Sequence, residues 1–160
     1  MKRIAPVAIG VALAGALASV PLQAQVPARA VTDFSYSPVT PGSWTYREVA
    51  GGSEATFVDT TGTARAVMTC GKVSRLVTIS RVSPVPAASI SIWTSSASRD
   101  LASRFDLISK RVVSQFGGWD SFLDAIAFSR GRIAMSMPGS PALVLPAGTE
   151  LAHIVEDCRA

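Results

Sequence analysis

From Trp44 to Ile92 the apolar residues recur at every second position, a period that suits strands and excludes a domain built from helices alone. Trp44 and Tyr46 alternate with Thr45 and Arg47, and Ala55 and Phe57 with Glu54 and Thr56. Ala66, Met68 and Cys70 share one face of the next run. Val77 and Ile79 then alternate with Thr78 and Ser80, and Ile90 and Ile92 with Ser89 and Ser91. Turn-forming residues separate these runs at Gly51-Gly52-Ser53, at Asp59 to Thr63 around Gly62, at Gly71-Lys72 and at Ser83-Pro84-Val85-Pro86. Thr40-Pro41-Gly42-Ser43 has the Pro and Gly of a type II turn and is expected to open the domain. Short runs with one apolar face predict an antiparallel meander of about six to eight strands. Leu101 to Phe105 and Arg111 to Phe116 are weaker strand candidates.

The period changes after Gly118. Asp120 or Ser121 can cap a helix running to Ser129, with Phe122, Leu123, Ile126 and Ala127 on its apolar side and Gly131 ending it. Arg132 to Met137, the Pro138-Gly139 turn and Pro141 to Leu145 then read as a hairpin. From Thr149, Leu151, Ile154, Val155 and Cys158 fall at i, i+3, i+4 and i+7, one stripe of a closing helix. The expected fold class is α+β: an antiparallel sheet packed with two C-terminal helices.

The other end of the chain carries an address. Met1-Lys2-Arg3 precedes an uncharged stretch from Ile4 to Ala28, with small residues at Ala24 and again at Ala28 and Ala30. Residues 1–24 are read as a secretory signal peptide, with a second possible cut after Ala30 and an uncleaved anchor as the other reading. No cysteine lies near the cut to carry a lipid. Residues 25–39, with Pro27 and Pro38, are read as a flexible, exposed leader, and 40–160 as one β-rich domain. Cleavage after Ala24 leaves 136 residues, enough to bury a core. The expected location is periplasmic or secreted, with no membrane span after cleavage. There an isolated pair of cysteines oxidises, and Cys70 and Cys158 both point from apolar faces, so a Cys70–Cys158 disulfide is expected.

Charge and composition bound the chemistry. Loss of Lys2 and Arg3 leaves thirteen cations against eleven anions, and the arginines are scattered along the chain, so nucleic acid is not an expected partner. His153, the only histidine, sits off the apolar stripe between Glu150 and Asp157 and reads as part of a solvated helix face. Without a second histidine or a thiolate those three make a poor metal site. Asp120 and Asp124 are explained by capping. No phosphate loop, nucleophile elbow, zinc-protease motif or calcium loop occurs, so neither a cofactor nor a metal is expected. The densest polar run is Thr94, Ser95, Ser96, Ala97, Ser98 and Arg99, where hydroxyls beside a guanidinium suit a ligand or partner contact and equally a solvated strand end or turn.

Asp124 to Arg132, Pro141 to Ala147 and the ending Ile154-Val155-Glu156-Asp157-Cys158-Arg159, with Trp44 to Arg47 and Trp93 to Ser96, resemble a family of small exported Gram-negative bacterial proteins of unknown function. The resemblance implies an envelope or secreted location and a β-rich domain with two helices, and it transfers no catalytic residue. Phe116-Gly117-Gly118-Trp119 departs from the proline-containing approach to the helix expected for that family. The order helix, Gly, hairpin, helix is also similar to the invasion-associated locus B proteins, as architecture only. The expectation is a non-enzymatic domain binding a partner protein or small ligand. An exported hydrolase with a Ser, Asp or Glu site assembled by folding is the alternative.

Overall fold

A computed structural model of the chain describes residues 33–160; the signal segment and both cleavage positions lie outside the described residues. The domain has ten strands in two antiparallel sheets, and two helices. In the first sheet β1 (Gly42–Val49), β2 (Gly52–Asp59), β3 (Ala64–Gly71) and β4 (Leu76–Val82) form a meander, continued by β8 (Arg111–Gly117) and by β7 (Arg104–Asp106) at the edge. The second sheet runs β10 (Ser140–Pro146), β9 (Arg132–Met137), β5 (Ser89–Thr94), β6 (Ser98–Ala102). Helix α1 spans Phe122–Ala127 and α2 spans Thr149–Arg159.

The fold is the α+β class expected, with one refinement: the meander is limited to four strands and the chain then changes sheets. Pro84 and Pro86, which lack an N–H for a ladder, carry it out of the first sheet. At Ser103, whose N–H bonds the Ala88 carbonyl, the run Leu101 to Phe105 divides between β6 in one sheet and β7 in the other.

Inward side chains of both sheets and both helices form one core, with Phe57, Met68, Val77, Ile92, Met135, Leu145, Leu123 and Ile154 almost wholly enclosed. Two different structures cover the inner face of the first sheet. At the Cys70 end lies α2, its stripe of Leu151, Ile154, Val155 and Cys158 buried against β1 to β4. The Cys70–Cys158 disulfide, with Cα atoms 5.5 Å apart, joins helix to strand. At the opposite end, where Ala66 pairs with Arg81, the β9–β10 hairpin takes over.

The domain begins before Thr40. Phe34 is 9 % exposed and packs edge-to-face on Trp93, beside Ala134 and Val144 on the outer face of the second sheet. Arg132 holds the same segment by donating to the carbonyls of Ser35 and Ser37. The exposed leader expected over 25–39 is therefore corrected for its last part: an aromatic at Phe34 finds an apolar sheet face, which a reading of Pro27 and Pro38 alone does not reveal. The type II turn is also replaced. Gly42 already pairs with Asp59, and a Cβ there would meet the Val58 carbonyl at 2.3 Å, so the glycine serves a close strand approach.

Helix α1 stops at Ala127, two residues short of Ser129, because the Ser129 hydroxyl donates to the Arg132 carbonyl and Gly131 reverses the chain at φ 80°. The Asp120 carboxylate caps it by accepting the Phe122 N–H at 2.8 Å, whereas Ser121 makes no capping bond. Among the described residues, no helix is long and apolar enough to cross a membrane.

Candidate functional site

Two strands carry an extra residue, and both irregularities lie at the same place. On β3, Ala66 pairs with Phe57 and Ala64 with Val58, leaving Arg65 unpaired between them. On β10, Ser140 pairs with Met137 but Leu143 with Met135, so Pro141 and Ala142 face the single Ser136. Bulges redirect side chains and commonly adjoin functional sites. Arg65, Pro141 and Ala142 here line a cleft of about 810 Å³, together with Arg81, Ser83, Lys110 and Ser140.

Arg81 is the unusual member. By strand parity it belongs with Val77 and Ile79 on the inward face of β4, and it is 8 % exposed. Its guanidinium donates to the Met135 carbonyl at 2.5 Å and to the Pro141 carbonyl at 3.1 Å, so it pins the bulged hairpin onto the first sheet. Nε has no acceptor. Two neutral carbonyls orient the charge without neutralising it, and taking an ion out of water costs several kcal/mol. Burial, with repulsion from Arg65, pulls Arg81 below the ordinary arginine value.

Arg65 donates through Nε to Asp59 at 2.5 Å and has its side chain 42 % exposed. Asp59 also accepts from the Thr61 N–H and hydroxyl and from the Thr63 N–H, and the hydrogen bonds from Thr61 and Arg65 hold its carboxyl far below the usual range. That carboxylate is fully engaged outside the cleft lining. Lys110 is exposed on the turn between β7 and β8 with φ 53°, a backbone setting that favours glycine. Its carbonyl accepts the Ser83 N–H, which fixes the rim. The lining holds three cations, several hydroxyls and aliphatic groups, and no carboxylate or imidazole.

The run singled out in the sequence folds elsewhere, at the Ile133 end of β9. Thr94 is buried, and its hydroxyl closes the β5–β6 turn by donating to the Ala97 carbonyl. The Ser95 N–H donates to the Ser129 hydroxyl, and the Ser95 hydroxyl accepts the Arg130 N–H. Arg99 donates to both Asp120 oxygens at 2.8 Å and lies 4.7 Å over the Phe122 ring. Ser95 and Arg99 thus tie the run to the two ends of α1, while Thr94 serves its own turn; Ser95, Ser96 and Ser98 are exposed.

At the Cys70 end, the Tyr46 hydroxyl donates to Asp157 at 2.7 Å, which raises the phenol pKa, and the His153 ring lies 5.6 Å from Tyr46. His153 faces solvent with Glu156 3.7 Å away. The nearby Ser53 hydroxyl is fully enclosed, out of reach of a substrate. Asp124 pairs with Arg159 at 2.6 Å rather than with Asp120.

Comparison with protein-family models, curated proteins and solved structures gave no match. The cleft residues were missed because Arg65, Arg81 and Lys110 are separated in sequence. The available signal was Arg81 itself, an arginine in phase with Val77 and Ile79 on an apolar face.

Proposed function

We propose that the chain is an exported, non-enzymatic binding domain whose cleft takes the oxyanion group of a ligand: phosphate, sulfate or carboxylate. The observation that carries the reading is Arg81, an inward guanidinium held by neutral carbonyls in a cleft that also contains Arg65 and Lys110 and no lining carboxylate. An oxyanion there would supply the missing countercharge and accept donors left unused on the guanidinium. A binding role is favoured over hydrolysis because the lining groups are donors and cations, without a carboxylate or histidine to serve as base. Export to the periplasm or medium is supported by the charged and apolar N-terminus, the disulfide and the resemblance to small exported Gram-negative proteins.

The test is thermal unfolding with inorganic phosphate, sulfate or acetate replacing chloride at constant ionic strength. A ligand bound only by the native state raises Tm in a saturable way. Phosphate or another of these anions should do so for the wild type, with a much smaller effect on Lys110→Gly, which removes a charge at a position suited to glycine. Equal responses in the wild type, Lys110→Gly and Arg81→Met would overturn the reading, as would no response beyond that of chloride.

A further inference from the structure

The cleft opens beside an apolar projection that neither the core nor the turn chemistry explains. The β7–β8 turn exposes Leu107 at 71 % and Ile108 at 97 %, although tight turns ordinarily carry polar residues, Gly or Pro. The turn is firmly built: Asp106 accepts the N–H groups of Ile108 and Ser109 at 2.8 and 3.1 Å, and its hydrogen bonds hold its carboxyl below the usual value. Ser83 donates its N–H to the Lys110 carbonyl and its hydroxyl to Val85, placing a second apolar loop, Pro84-Val85-Pro86, next to this turn. All three residues of that loop are exposed. Lys110 belongs to both features: it follows the Leu107-Ile108 tip by two residues and lines the cleft with Arg65 and Arg81. Arg104, also exposed, flanks the tip on β7.

From this juxtaposition, and resting on the oxyanion reading of the cleft, we infer that the ligand is the headgroup of an anionic phospholipid and that the domain docks on a bilayer surface, Leu107 and Ile108 entering the acyl region. The occupant follows from charge complementarity. A phosphodiester would meet Lys110 and Arg65 and supply the countercharge of Arg81, while the adjacent side chains, which water solvates poorly, find hydrocarbon. An apolar insertion and a basic patch are the two signals that together give stable attachment to a membrane surface. A free phosphate accounts for the cations but leaves the aliphatic tip unexplained. An apolar partner surface accounts for the tip but leaves Arg81 without a countercharge.

Co-sedimentation of the exported chain with vesicles tests this, using phosphatidylcholine alone and phosphatidylcholine with about 30 % phosphatidylglycerol, near 0.1 M salt, where surface charge still acts over roughly 10 Å. Wild type should bind the anionic vesicles at least tenfold more tightly than the neutral ones. Leu107→Ser with Ile108→Ser should lose at least tenfold while keeping the Tm rise with inorganic phosphate, because these side chains lie outside the core. Lys110→Gly should weaken both vesicle binding and the phosphate response. Equal binding to both vesicle types, or unchanged binding by the double tip variant, overturns the bilayer assignment; a retained phosphate response would then leave the oxyanion reading standing. Loss of the phosphate response in the wild type itself removes both. A concentration-dependent dimer that the tip variant abolishes, without vesicle binding, would reassign the tip to self-association and also overturn the inference.

Discussion

The inner face of the first sheet is closed in two ways, and the contrast separates stability from recognition. At one end Cys70 is covered by the apolar stripe of α2, and the closure is covalent. At the other end, on strands β3 and β4 again, Arg81 takes the inward position and donates to carbonyls of a bulged hairpin. Most polar groups at the α2 end bond within the protein, the enclosed Ser53 hydroxyl excepted: Tyr46 bonds Asp157, Arg75 bonds the carbonyls of Cys158 and Ala160, and Arg159 bonds Asp124 and Gly118. The Arg81 end leaves a charge without its opposite. Satisfied polar groups rigidify a fold, whereas an uncompensated one favours whatever brings the missing charge.

Breaking the α2 end should produce the largest effect. Replacement of Cys70 and Cys158 by Ala opens a closure of 88 positions, worth about 4–5 kcal/mol in the chain-entropy description of cross-links. The melting temperature should fall substantially, and amide exchange should accelerate first in α2, the terminal element released. The Tm gain from inorganic phosphate should survive in this variant at temperatures where it is folded. Its loss would show that the two ends are coupled.

Arg81→Met attacks the other end. The carbonyls of Met135 and Pro141 lose a donor, costing about 1–3 kcal/mol for each one left buried and unpaired, while removal of a desolvated charge offsets part of that. The net loss should be smaller than that of the disulfide variant. Added phosphate should widen the gap to the wild type, since only the wild type gains from the anion. Denaturant unfolding with and without phosphate measures both effects. A gap independent of phosphate would make Arg81 a structural clamp and nothing more.

Tyr46→Phe is a milder probe of the α2 end. It removes the hydroxyl that donates to Asp157 while leaving the ring, and should cost about 1 kcal/mol with no change in anion response. Chemical denaturation set beside the phosphate titration reads out both.

The two ends were unequally legible in the sequence. The period-two runs exposed the strands, and the i, i+3, i+4, i+7 stripe placed Cys158 on the buried side of α2, so both partners of the disulfide could be read locally. The change of sheet after β4 and the packing of Phe34 on Trp93 depend on contacts across the fold, which no local period encodes. The cleft depends on bulges, and one extra residue in a strand leaves the alternation on either side looking regular. The Thr94 to Arg99 run stood out by composition, yet its buried threonine and its paired serine and arginine serve the protein's own turns and α1. Polar density pointed there, while isolated Arg65, Arg81 and Lys110 assembled the cationic cleft.

The smallest effect expected on anion binding concerns Asp59, which sits just behind the cleft and restrains Arg65. Its folded-state pKa lies below the ordinary 3.8, through hydrogen bonds from Thr61 and then Arg65. A carboxyl depressed in this way stabilises the fold at pH above its unfolded value and loses that contribution as pH falls toward its folded value. The wild type should therefore lose stability on acidification from about pH 4 downward, and Asp59→Asn should show a shallower loss over that window. At neutral pH the same substitution removes the negative neighbour of Arg65 and makes the cleft more positive by one charge. Phosphate should then bind somewhat more tightly at low salt, an advantage that fades toward 1 M salt, where the screening length shrinks to about 3 Å. Phosphate titrations of both proteins at two ionic strengths decide the point. If Asp59→Asn binds phosphate more weakly, the pairing with Asp59 is what presents Arg65 to the ligand, and the carboxylate belongs to the site rather than opposing it.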